Sequence, residues 1–195
     1  EIFSINDMIK LFELKNINNS PASFNQEKLE WINQSYIKTT GIEELVDNLK
    51  WHLNQLSIDL ANGPDINEVV ESLRERSKSL VDMAQSCVMF YNDFTDFESD
   101  QASKVFSLES KLILDDLYMQ LKVLEHWNAE NIHSVINNIC EIRGVGFGKV
   151  GQPFRLALSG DGKAGSIDIS AQFVGKKRTI SRLKMAIKWI NNLDS

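Results

Sequence analysis

Proline and cysteine are scarce in this chain, with three of the first and two of the second among 195 residues. So few prolines, with only ten glycines beside them, leave little to interrupt helices. Cys87 and Cys140 stand alone, without the paired spacing of a zinc site or the density of a disulfide scaffold, and read as buried free thiols in a reducing cytoplasm. No run of about 18 apolar residues is present to cross a bilayer. Residues 1–20 lack the charged start and apolar centre of a signal peptide. Catalytic signatures are missing as well. There is no Gly-x-Ser-x-Gly elbow and no His-Glu-x-x-His, and Gly148, Lys149 and Val150 supply neither the strand nor the Gly-Lys-Ser/Thr ending of a phosphate-binding P-loop. His52, His126 and His133 lie on three separate helical segments without partners at ligand spacing, so no metal site is expected. Adjacent acids such as Glu43 with Glu44, or Asp115 with Asp116, point about 100° apart on a helix and form solvated faces rather than acid–base pairs. On its own the chain reads as a non-enzyme.

What is abundant is helical. Leu, Ile, Glu, Lys and Asn dominate a chain that is 43% hydrophobic, which predicts an all-α fold large enough for two small cores. Ser4 with Asp7 opens a segment near 4–14 whose face carries Ile5, Met8, Ile9, Leu11 and Phe12. Asn25 caps a second near 25–39, and after Gly41 a third follows with Leu45, Leu49, Leu53 and Leu56 at helical spacing. Asp65 with Glu68 opens one long helix over 65–91. The acidic run 93–100 breaks the pattern and marks the expected division into two consecutive helical subdomains, 1–98 and 99–195, a helical bundle or α-helix cage. Leu108, Leu112, Leu117, Leu121 and Leu124 belong to a further helix ending near Trp127, and Asn128 caps another that stops at Gly144. A short helix holds 152–158, and the last runs over 178–193.

Charge is unevenly distributed. Residues 1–140 hold 11 Lys and Arg against 23 Asp and Glu, whereas 141–195 hold 10 against 4. An acidic scaffold therefore carries a basic end, the kind of surface a polyanion would meet. Gly144, Gly146, Gly148 and Gly151 crowd into this end, either as a plain helix stop or as a loop with amides open to RNA phosphate. Trp31, Trp51 and Trp127 sit in strongly periodic segments and are expected in the core, while Phe147 and Phe154 flank the glycines among cations and are candidates for stacking on RNA bases.

Three ordered blocks carry a resemblance. The stretch 20–37, Ser-Pro-Ala-Ser-Phe-Asn-Gln-Glu-Lys-Leu-Glu-Trp-Ile-Asn-Gln-Ser-Tyr-Ile, the stretch 73–80, Leu-Arg-Glu-Arg-Ser-Lys-Ser-Leu, and the stretch 148–160, Gly-Lys-Val-Gly-Gln-Pro-Phe-Arg-Leu-Ala-Leu-Ser-Gly, resemble segments of bacterial glutamyl-tRNA synthetases. The stretch 174–183, Val-Gly-Lys-Lys-Arg-Thr-Ile-Ser-Arg-Leu, resembles the ending of the same family. The resemblance implies the anticodon-binding helical part of a glutamate–tRNA ligase, with tRNA(Glu) and its own N-terminal catalytic domain as partners, in a cytoplasmic monomer. The catalytic signatures of that family, His-Ile-Gly-His and Lys-Met-Ser-Lys-Ser, are absent. ATP and Mg²⁺ would thus belong to the parent enzyme and no cofactor to this part. Carried over by position, Arg76 reads the third anticodon base and Arg155, positioned by Gln152 and Pro153, lies close to the anticodon loop; Phe147, Lys149, Phe154 and Ile167 are expected beside them, and from the charge of this end Lys176, Lys177, Arg178 and Arg182 are expected to face RNA. Two departures stand out. Ala164 to Asp168 replaces a Thr-Pro-Gly-Leu-Phe turn of some members, and Asn137 replaces an arginine. Two other readings remain, a paralogue that is non-discriminating or specialised for tRNA(Gln), and a helical protein-interaction scaffold.

Overall fold

The computed structural model describes residues 2–18, 20–21 and 23–192. Among them it holds only helices and their connections: α1 (Ile5–Leu11), α2 (Gln26–Thr39), α3 (Ile42–Gln55), α4 (Ile66–Leu73), α5 (Leu80–Tyr91), α6 (Ser99–Val105), α7 (Leu108–Val123), α8 (Ala129–Arg143), α9 (Phe147–Ser159), α10 (Ile167–Val174) and α11 (Lys176–Asn191). The fold is all-α, as the composition predicts. Leu193, the expected end of the last helix, lies outside the described residues, as do Asn19 and Ala22.

Local caps explain most of the boundaries. Ser4 accepts the Asp7 amide at 3.1 Å, Asn25 that of Lys28 at 2.9 Å, Asp65 that of Asn67 at 2.8 Å and Asn128 that of Asn131 at 2.8 Å. Each supplies an acceptor to a first-turn amide that has no partner within the helix. Gly144 closes α8 in the left-handed region, φ 62°, a conformation that costs other residues their Cβ clearance.

The helix expected over 65–91 is two helices. Between α4 and α5 the Arg74 guanidinium turns away to the end of α2, where Nη2 donates to the carbonyls of Lys38 (2.9 Å) and Thr40 (2.6 Å). The Ser77 hydroxyl donates back to the Leu73 carbonyl, and Ser79 accepts the Asp82 amide to start α5. Serines that bond the backbone locally favour such a break over a continuous turn. Two short helices are not expected from the sequence: α6, which arises in a polar stretch, and α10, whose apolar residues Ile167, Ala171 and Val174 follow the glycine-rich turn. Glu98 caps α6 at the Gln101 amide, inside the acidic run.

Apolar residues from Ile37 to Ile190 form one buried cluster. The acidic run contributes to it: Phe97 is buried and lies edge-on between Phe94 (5.5 Å) and Phe106 (5.1 Å), and Phe106 meets Trp189 at 5.4 Å. Its carboxylates face water while its rings point inward. Cys87 is buried and Cys140 half-buried, both free thiols. Desolvation pushes the Cys87 thiol up to about 12, which leaves it protonated and inert.

Two tryptophans expected in the core are at the surface. Trp51 is 63% and Trp31 47% exposed. On α3 the buried face is Leu45, Val46, Leu49 and Leu53, and Trp51 follows Leu49 by two residues, about 200° round the helix. Trp127 is half-buried, with its indole N–H donating to the Ala171 carbonyl at 3.0 Å. The apolar face of α1 is uncovered too: no residue of that helix is buried.

Candidate nucleic-acid interface

The basic end of the chain is not one basic face. Helix α11 begins with four cations, and three of them turn into the protein. Arg178 donates through Nη1 to the Phe90 carbonyl and through Nη2 to that of Tyr91, both at 2.6 Å. Arg182, only 4% exposed, donates through Nη1 to the Leu158 carbonyl (2.5 Å) and through Nη2 to that of Asn92 (2.9 Å). These are last-turn carbonyls of α5 and α9, which lack amide partners in their own helices and carry the negative end of the helix dipole. Lys176 does the same for α7, with Nζ 2.6 Å from the Leu124 carbonyl. The expectation that Lys176, Arg178 and Arg182 face RNA is therefore corrected: they staple helix ends. Lys177 alone of the four is exposed.

Asp93 completes this staple. Its Oδ1 accepts from Arg178 Nε at 2.9 Å and from Arg182 Nη2 at 3.3 Å. Burial alone would raise its pKa, but hydrogen bonds and attraction from Arg178 and Arg182 outweigh burial and hold the carboxyl below the usual carboxylate range. A depressed pKa stabilises the fold above the unfolded value, and that contribution vanishes as pH falls through the folded value. Asp93→Asn is accordingly expected to lower stability at pH 7 by less than about 1 kcal/mol, the carboxylate being largely exposed. In urea melts at falling pH, the variant should lose less stability than the wild type below about pH 4.

Helix α9 presents the other candidates. Pro153 and Phe154 are buried, Phe154 completely, and Ile167 of α10 is 2% exposed. None of the three offers a surface to a base, which corrects the stacking expected of Phe154 and the contacts expected of Pro153 and Ile167. They fix the helix instead. Pro153 has no N–H for the Lys149 carbonyl one turn back. Lys149 and Gln152 are exposed, Arg155 is half-exposed, and Gln152 and Arg155 line one shallow pocket with Gln101 and Gly162. Lys149 lies 3.7 Å from Glu109, a loose surface pair.

Arg76, in the break between α4 and α5, is exposed and rests against Gly165: a Cβ added to that glycine would stand 3.0 Å from Arg76 Nη1. Ser77, Asp82, Ser86 and Lys163 share its pocket. Arg155 lies at the Gly162 side of the 160–166 loop and Arg76 at the Gly165 side.

The six arginines thus fall into two groups. Arg74, Arg143, Arg178 and Arg182 bind carbonyls and carboxylates of the protein. The side chains of Arg76 and Arg155 have no hydrogen-bond or ion-pair partner among the described residues, and the Arg155 Nε is buried without one. An arginine with unmatched forked donors is suited to an anionic or acceptor-rich ligand.

Sequence reasoning overlooked one surface feature. The ring of His133 on α8 lies over that of Phe147 at the start of α9, with centroids 5.7 Å apart and planes 30° from parallel. His133 Nδ1 is 3.0 Å from Asp168 Oδ2 on α10. The spacing of 14 residues between the two rings gives no periodic signal; only the α8–α9 turn brings them together.

Residues 44–187 match the model of a family described as anticodon binding domain. The chain is 51% identical over 187 residues to glutamate–tRNA ligase of Ruthia magnifica, covering 96% of the chain and 41% of that relative, and matches the Vesicomyosocius okutanii glutamate–tRNA ligase to the same extent. It thus spans about two fifths of the length of these relatives. A solved glutamate tRNA ligase from Elizabethkingia meningosepticum superimposes with a TM-score of 0.82 at 28% identity, over 96% of this chain and 37% of that one. A glutamate-tRNA synthetase from Elizabethkingia anophelis gives 0.76 at 27%, over 96% and 36%. With the family model spanning well over half of its residues, this chain belongs to the anticodon binding domain family.

Proposed function

We propose that the chain is the anticodon-reading part of a glutamate–tRNA ligase, that its nucleic-acid partner is tRNA(Glu), and that it orients that tRNA towards a catalytic part outside these residues. The observation that carries the reading is the pair of unpartnered arginines, Arg76 and Arg155, on either side of the 160–166 loop. Both coincide with the positions that the resemblance assigns to anticodon contact, while the other four arginines are occupied within the protein. Joining glutamate to tRNA with ATP and Mg²⁺ falls to the catalytic part. That part, in the same reading, docks on the uncovered apolar residues of α1 and its C-cap, where Ile5, Ile9, Leu11 and Phe12 are each more than half exposed. The whole protein acts as a cytoplasmic monomer. Lys149, Gln152 and Lys177 add polar contacts at the exposed side of the same end, positioning the RNA backbone rather than reading it.

Filter binding tests this reading. Arg155→Glu should weaken tRNA(Glu) binding by about tenfold or more and make the dependence of log K on log salt shallower by about one counterion, as expected when a phosphate-contacting cation is lost. Equal binding of tRNA(Glu) and an unrelated tRNA, with no change in Arg155→Glu, would favour the protein-interaction scaffold.

A further inference from the structure

We infer that the stacked rings of His133 and Phe147 form a platform for one unpaired RNA nucleobase, a site that rests on the anticodon-reading function proposed above and adds to it a residue, His133, that no motif marks. The two rings sit near-parallel at 5.7 Å, and both are exposed, Phe147 by 40%. Their orientation is fixed from three helices. Asp168 on α10 holds the imidazole through Nδ1 at 3.0 Å. The Asp168 carboxylate is itself fixed by the Ser166 hydroxyl (2.5 Å) and the Ile169 amide (2.9 Å). On α9, Gly151 allows the Phe147 ring to lie close against the helix, since a Cβ there would stand 3.3 Å from the ring.

A ring pair so constrained at the surface loses rotamer freedom without the burial that normally compensates for it. Pre-organised rings of this kind take a third flat ring at little further entropic cost. The glycines next to Phe147 carry no side chains and stand in open space: a Cβ placed on Gly144, Gly146 or Gly148 would meet nothing within 4 Å. The chemistry favours a nucleobase over an aromatic side chain of a protein. Phe147 opens the same helix that carries Lys149, Gln152 and the unpaired Arg155, and eight residues of helix put the ring about 12 Å from Arg155 along the axis. That is a span of a few nucleotides. Asp168, the nearby anion, keeps its charge, but its side chain is only 17% exposed and its oxygens are turned to the His133 ring, the Ser166 hydroxyl and the Ile169 amide rather than to the ring face.

The test uses the full-length protein and tRNA(Glu). His133→Ala and Phe147→Ala should each weaken binding by about tenfold, the scale of one base–aromatic stack, at an unchanged salt slope, because no phosphate contact is removed. His133→Phe keeps a ring on the platform without the bond to Asp168 and should restore most of the affinity. A 2-aminopurine at one unpaired position of the anticodon loop should be quenched on binding the wild type and remain bright with the double alanine variant, whose thermal midpoint and circular dichroism report its folding. If the wild type binds, Arg155→Glu weakens it, and the ring variants bind as the wild type does with quenching intact, the platform is overturned while the anticodon reading stands. In that case the rings face a protein partner instead. If the wild type itself shows no preference for tRNA(Glu), the reading beneath the platform falls with it.

Discussion

Replacing Arg182 with methionine is expected to lower the unfolding free energy by about 3 kcal/mol, read in urea as a lower midpoint at unchanged slope. Methionine fills much of the volume, so the loss is chiefly polar. The Leu158 and Asn92 carbonyls would lose their charged donor, and Asp93 one of its two arginines. A buried acceptor left without a donor costs about 1–3 kcal/mol, and the partial negative charge of a helix end adds to that cost. The guanidinium also lies over the Phe94 ring at 4.9 Å, an attraction of roughly 0.5–1 kcal/mol or more when desolvated. Working against these losses, burial lowers the Arg182 pKa, with Asp93 opposing that shift, so part of the gain offsets the cost of bringing the charge out of water. The same variant separates a stapling arginine from one that faces RNA. At a temperature where both proteins are folded, Arg182→Met should bind tRNA with the wild-type salt slope, whereas a loss of one counterion with little change in the urea midpoint would return the residue to the RNA surface.

That distinction between arginines is also where sequence reading reached its limit. Helix starts were legible because their causes lie within three residues: Ser4 and Asp7, Asn25 and Lys28, Asn128 and Asn131. The break at 74–79 was not legible, because Arg74 leaves its helix to reach carbonyls more than thirty residues away. A period of apolar residues runs straight through it. The basic tail averaged cations of two kinds, and which of them is captured depends on which helix end the fold sets beneath it; α11 crosses the ends of α5 and α9, so Arg178 and Arg182 are taken. Phe154 flanks the glycine cluster in the sequence, yet Gly144 closes α8 and Gly146, Gly148 and Gly151 belong to the start of α9, whose inward face Phe154 occupies. Arg76 and Arg155, the two arginines to which the resemblance points, are also the two whose side chains lack partners. Periodicity alone has no means of finding them, and while the glycine cluster marks Phe147, no pattern leads to His133 or to the pairing of the two rings.

The largest functional effect is expected at Arg76. With the chain joined to a catalytic part like that of its relatives, Arg76→Gln should reduce the ratio of kcat/KM for tRNA(Glu) over tRNA(Gln) by about tenfold or more. A guanidinium presents only donors. Placed against the O2/N3 side of the Watson–Crick edge, it suits the acceptors of an unpaired cytosine but meets the N1 and N2 donors of guanine, whose own acceptors O6 and N7 lie further round the base, so a polar group is left unmatched at the wrong base. An amide can turn either its donor or its acceptor outward and so accepts both bases. Gly165 gives a second, independent handle on the same contact. Its φ lies outside the left-handed region, so alanine is tolerated by the backbone, but the added methyl would stand 3.0 Å from Arg76 Nη1 and displace the guanidinium. Gly165→Ala should therefore move the ratio in the same direction as Arg76→Gln, by less, and with the urea midpoint nearly unchanged. In the double variant the glycine effect should disappear, because the group it displaces is gone; two single effects that simply add would mean that Gly165 acts elsewhere. If neither single change alters the ratio while tRNA(Glu) is still charged, Arg76 is a solvated arginine and discrimination lies in other contacts.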